Sequence, residues 1–121
     1  VIERWDRVFE AVSAEPRRQI IIALLDADVT ETVPLPERAI NPNVPVDTEE
    51  PRAQLCHSHL PKLADWGFIE WDTEPLRSSR GPRFDEVAVV FETLQQSAAE
   101  IPDSLVIGCQ RLEEERQKTG Q

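Results

Sequence analysis

Apolar residues recur at helical spacing over several stretches of this chain and alternate over one. Ile2, Trp5, Phe9 and Val12 share a face of a first helix, with Glu3, Arg4, Asp6, Arg7 and Glu10 between them. Ile20, Ile21, Ile22, Leu24 and Leu25 make a second helix, 16–26, apolar nearly all round, which predicts the central buried helix. Pro16 suits its first turn and Glu15 its cap. Arg17 and Arg18 stand at its start, where the helix dipole does not favour cations, and read as solvated charges or as phosphate contacts. Residues 28–34 read as a linker and 35–40 as a short helix. The two prolines Pro42 and Pro45 forbid a helix through 41–47.

The most ordered pattern lies at 49–83. Thr48 can cap a helix over 49–66, and Glu49, Glu50 and Pro51 suit its first turn. Cys56, Leu60 and Leu63, flanked by Ala53 and Ala64, form an apolar stripe; Gln54, His57, Ser58, Pro61, Lys62 and Asp65 fall opposite. Pro61 cannot donate to the His57 carbonyl, which predicts a kink or split. Gly67 suits the helix end because it turns left-handed without a Cβ clash. The period then drops to 2: Phe68, Glu70 and Asp72 alternate with Ile69 and Trp71, a half-buried strand. A turn at 72–75 returns the chain as a second strand, 76–80, ended by Gly81-Pro82. A helix followed directly by a two-stranded hairpin predicts a mainly α fold with a small β-hairpin wing, a winged helix-turn-helix, framed by N- and C-terminal helices in one domain. Beyond it, Asp85 can cap a helix with Val87, Val90, Phe91, Leu94, Ala98 and Ile101 on one face, broken at Pro102. Ser104 can cap a last helix with Leu105, Cys109 and Leu112 inward.

The stretch HSHLPKLADWGFIEWD resembles the S-x-H-L-x-x-L-x-x-x-G-L-V segment of arsenical-repressor-like (ArsR-like) winged helices. It is similar also to small haloarchaeal winged-helix domains in which H-x-H-L-P-K-L recurs. Upstream, EPRRQIIIALL resembles the D-P-R-R-x-x-I-L-x-x-L helix of the same superfamily. The likeness spans roughly residues 10 to 80 and implies a winged-helix transcriptional regulator that reads DNA with the helix before the wing. One departure is the short, proline-bracketed segment where the first helix of the turn motif belongs.

Charge sharpens that expectation. The 121 residues carry a net −10, and only Lys62 and Lys118 of the thirteen cations are lysine. Such an acidic, lysine-poor composition reads as a halophile's solubility device in molar salt, or as an ordinary acidic protein. Residues 51–83 nonetheless hold five cations against four anions, a net +1, so the rest of the chain carries −11. DNA reading needs donors for base edges and cations for phosphates. Arg52, Gln54, His57, Ser58 and Lys62 can supply them from the helix, and Arg77, Arg80 and Arg83 from the wing. His59 falls toward the hairpin and reads as structural. The rival reading is a degenerate winged helix that binds protein, an interaction or assembly module. A third is a metal site on Cys56 and His59, which stand at i and i+3 on one helix face, completed by His57 or Cys109. Cys56 and Cys109 otherwise read as buried thiols of a reducing cytoplasm. No catalytic constellation, phosphate-cradling glycine loop or cofactor motif is present in the sequence. The longest apolar run, 20–25, is far below membrane length, and no secretory signal is apparent. The stripes Trp5, Phe9, Val12 and Leu105, Cys109, Leu112 are apolar enough to predict a homodimer through the terminal helices.

Overall fold

The periodicities translate into seven α-helices and three short strands among the residues described. A computed structural model describes residues 2–35, 49–106 and 110–119. The helices are α1 (Ile2–Ala11), α2 (Glu15–Asp26), α3 (Glu49–Gln54), α4 (Leu60–Asp65), α5 (Phe84–Gln96), α6 (Asp103–Val106) and α7 (Gln110–Thr119). The strands are β1 (Val33–Pro34), β2 (Ile69–Asp72) and β3 (Arg77–Arg80). The fold is mainly helical with a small antiparallel sheet. Its contacts cluster into two units, Val1–Val87 and Ala88–Gln121, with α5 running across the boundary.

The core of the first unit is built by α2, whose Ile20, Ile21 and Leu24 are fully buried. Around it lie Val8 and Ala11 of α1, Leu55, Leu60 and Leu63, and the wing-root residues Phe68, Ile69 and Leu76. Ala14, with no side-chain cap bond, is the N-cap of α2, so Glu15 does not serve there. The sheet runs β1-β3-β2, with Trp71 opposite Ser78 and Val33 opposite Ser78 on the other side. The stretch read as linker thus contributes a strand. Two residues are too short to show an alternating pattern, and Pro34 is tolerated because β1 lies at an edge.

The expected single helix over 49–66 is three pieces. Between α3 and α4 the chain makes a π-turn, Leu55–His59, in which the Leu60 amide reaches back five residues to the Leu55 carbonyl. Pro61, without an N–H, lies in the first turn of α4. The π-turn holds one residue more than an α-turn, so the phase slips. The buried stripe is Leu55, Leu60 and Leu63; Cys56 is half-buried and Ala53 exposed, contrary to the regular-helix expectation. Gly67 ends α4 as foreseen, at φ 86°, with Gly67 N–H donating to Ala64 O and Phe68 N–H to Leu63 O, both at 3.0 Å. Gly81 is required for another reason: a Cβ there would lie 2.6 Å from the Gly67 carbonyl oxygen and 2.7 Å from the Ile69 nitrogen.

In the second unit α5 ends at Gln96, earlier than Pro102, and a 3₁₀ turn, Ala98–Glu100, follows. Ala98 and Leu112 are buried together with Ile101 packed on them. The described parts of the expected last helix are α6 and α7. The expected cap at Thr48, the short helix beyond Leu35, the 41–47 connection and Cys109 lie outside the described residues. No helix among the described residues is long and apolar enough to cross a membrane.

Candidate nucleic-acid interface

The solvent face of the α3–π-turn–α4 segment carries Arg52, Gln54, His57 and Lys62, all exposed, with Ser58 half-buried beside them. The leucines at 55, 60 and 63 point the opposite way into the core, which fixes this outward face. Among the described residues no hydrogen bond or ion pair engages the side chains of Arg52, Gln54, His57 or Lys62. Asp65 is exposed at the end of the same segment.

The wing is less basic than its sequence. Side chains of β2 and β3 alternate in pairs, Ile69 and Trp71 with Ser78 and Arg80 on one face, Glu70 and Asp72 with Ser79 and Arg77 on the other. Arg77 Nη2 donates to Asp72 Oδ2 at 3.3 Å, and both side chains remain largely in solvent. A shallow depression at the hairpin is lined by Thr32, Glu70, Trp71, Asp72, Arg77, Ser78 and Ser79.

Arg80 turns inward. Its Nε and Nη2 donate to Leu24 O at 3.2 and 3.0 Å, and Nη2 also to Ala27 O at 3.2 Å. The guanidinium lies 4.9 Å from the Phe84 ring centroid. Arg80 therefore closes the C-terminal end of α2, where carbonyls lack helical partners and a cation suits the dipole. Nε and Nη2 are thus engaged with backbone carbonyls, against the expectation of a wing arginine wholly free for DNA. Arg83 is exposed, its backbone N–H donating to Gly67 O at 2.8 Å.

Behind the polar face lies a buried cation. Arg17, 6% exposed, donates to Ala11 O at 3.3 Å, Glu10 O at 2.8 Å and Ser13 Oγ at 2.7 Å, and its Nη1 meets His59 Nδ1 at 3.0 Å. Burial pulls the Arg17 guanidinium below its ordinary value; Glu10 opposes this and Arg18 adds to it. The expectation that Arg17 faces solvent or phosphate is overturned. Arg18 also turns back, donating to Val12 O at 2.7 Å. Desolvation, then Arg17 and Lys62, lower the His59 pKa. His59 is half-buried, with its Nδ1 turned to Arg17 of α2. Among the described residues no group of three or more His, Cys, Asp or Glu is placed to hold a metal ion. One faint sign of the Arg17 cluster is legible along the chain: Ser13 and Arg17 are four residues apart.

The terminal stripes divide. Ile2, Trp5 and Phe9 are 79%, 58% and 61% exposed, and Trp5 stacks on Phe9 at 5.8 Å between centroids. Val12 is half-buried. α1 instead docks through Val8, Ala11 and Arg4, whose guanidinium pairs with Glu86, donates to Trp66 O and lies over Phe68. Leu105 is exposed, whereas Leu112 is buried against Ala98 in its own unit and offers nothing to a partner. Against family models, curated proteins and solved structures alike, the chain finds no match.

Proposed function

We propose that the protein is a DNA-binding transcriptional regulator of winged-helix type, working in the cytoplasm of a halophilic archaeon. One observation carries the reading. On a protein of net −10, the segment that leads into the hairpin presents the side chains of Arg52, Gln54, His57 and Lys62 to solvent, with no side-chain hydrogen bond or ion pair among the described residues. The strand order β1-β3-β2 and the helix before the hairpin fit a winged helix. In molar salt, counterion release contributes little affinity, so binding has to come from fitted contacts. Gln54 and His57 are placed to read base edges. Ser58 is their half-buried neighbour. Arg52 and Lys62, with Arg83 and the solvent-exposed Arg77 at the wing, reach phosphates.

The test is a binding titration in about 1–2 M KCl against a site recovered by genome-wide crosslinking, with a scrambled duplex as control. Arg52→Ala with Lys62→Ala should weaken both duplexes alike. Gln54→Ala should cut the preference for the true site by about tenfold, the size of one lost base contact. Wild type failing to separate site from scramble, or the double variant binding as wild type does, overturns the assignment.

A second reading is a protein-interaction module on the same fold. It is favoured by the exposed Ile2, Trp5 and Phe9 stripe and by the commitment of Arg80 to backbone. The same stripe supports a homodimer.

A further inference from the structure

We propose that the Arg17–His59 contact is a proton-operated latch. With His59 neutral it ties the π-turn to the corner between α1 and α2; a proton on His59 releases it. The latch stands on its own geometry, and only its consequence for DNA rests on the function proposed above.

A guanidinium offers hydrogens and no lone pair, so His59 Nδ1, at 3.0 Å from Arg17 Nη1, must be the acceptor. His59 is then neutral, with its hydrogen on Nε2. Arg17 cannot easily swing aside, because its other donors hold the Glu10 and Ala11 carbonyls and the Ser13 hydroxyl. Protonation would set N–H against N–H and place a second positive charge beside a buried first one. The charged groups acting on the ring are Arg17 from α2 and Lys62 from α4, both cations. His57, on the same segment, is exposed. Glu10 of α1 and Arg18 of α2 act on Arg17. Among the described residues no carboxylate pairs with His59 to offset the new charge.

The element held is a π-turn, a geometry rare enough to need outside support. Arg17 supplies support from α2, the most buried helix. Once the contact is lost, the turn loses its tie to the α1–α2 corner, and His57 and Ser58 move with it. Acidification therefore loosens the polar face from within.

Two measurements test this on the intact chain. The first follows the His59 imidazole by NMR from about pH 8 to pH 5; it should titrate below the ordinary histidine value of about 6.5. The second reads amide hydrogen exchange, expressed as protection relative to the free-chain rate, at about pH 7.5 and pH 5. Protection over residues 55–60 should fall about tenfold on acidification, while Ile20–Leu24 of α2 hold theirs. His59→Asn, which keeps an acceptor near the Nδ1 position and does not titrate, should abolish the fall. His59 titrating at or above the ordinary value of about 6.5, or His59→Asn showing the same fall, overturns the latch; the wild-type NMR titration decides even if the variant does not fold. A parallel DNA titration separates the two claims. Loss of exchange response with DNA binding intact refutes the latch alone. An intact exchange response without DNA binding at either pH refutes the DNA reading and leaves the latch standing.

Discussion

Replacing Arg80 with alanine separates a wing that grips DNA from a wing residue that holds the fold. Two carbonyls at the end of α2, those of Leu24 and Ala27, receive its three hydrogen bonds. Charged donors are worth about 1.5–3 kcal/mol each when buried. Arg80 is half-buried, so water replaces part of this, and about 1 kcal/mol per carbonyl is the fair figure. The cation at a helix C-terminus adds about 0.5 kcal/mol, and its place over Phe84 about 0.5 kcal/mol. Arg80→Ala should therefore cost about 3 kcal/mol. With a urea slope of about 1.5 kcal/mol/M, the unfolding midpoint should drop by about 2 M. Arg77→Ala is the charge-matched control. It removes the same +1 from an acidic protein, but its partner is an exposed Asp72, so it should move the midpoint by no more than about 0.3 M. Arg80→Lys keeps the charge without the fork and should fall between. Equal, small shifts for Arg80→Ala and Arg77→Ala would refute the capping role and return Arg80 to the surface.

Gly81→Ala should be worse than Gly67→Ala, because the added carbon meets immovable backbone at 2.6–2.8 Å rather than the Arg83 side chain; thermal denaturation of both variants ranks them. Stability should rise clearly between about 0.1 and 2 M KCl as the screening length falls from about 10 Å to under 3 Å, and a flat melting temperature would remove the halophile reading. Light scattering in about 2 M KCl should report twice the 13.8 kDa of one chain. Trp5→Ser with Phe9→Ser should return it to one copy without loss of folding, since both side chains are largely exposed in the single chain; a folded wild-type monomer at micromolar concentration would exclude the dimer.

Much of this architecture was legible because it is local. The switch from helical to two-residue spacing at Gly67 marked the wing root, and the run of isoleucines in α2 marked the core. What failed was what depends on distant partners. β1 is strand only because β3 lies beside it, and two residues cannot carry a pattern. The phase slip at Leu55–His59 was hidden because Cys56, Leu60 and Leu63 already fit a regular helix, so nothing in the spacing called for an extra residue. Arg17 and Arg80 look in sequence like any solvated arginine; only the folded carbonyls of α1 and α2 show that they are internal donors. The candidate site was legible where side chains answer to solvent alone, at Arg52, Gln54, His57 and Lys62.

The π-turn also makes this helix unusually forgiving of a change in length. Elsewhere in a helix, losing one residue rotates everything beyond it by about a hundred degrees and throws the core face outward. Here the segment already holds a surplus residue. Deleting Ser58 would leave the two buried leucines that flank the turn four apart instead of five, the spacing at which an ordinary α-helix brings side chains to one face. The turn would then straighten with Leu55 and Leu63 both still facing the core, at the cost of a kink where Pro61, now inside a continuous helix, has no N–H to donate. Among chains descended from a common ancestor with this one, gaps in an otherwise gapless helix would be expected to gather at this turn.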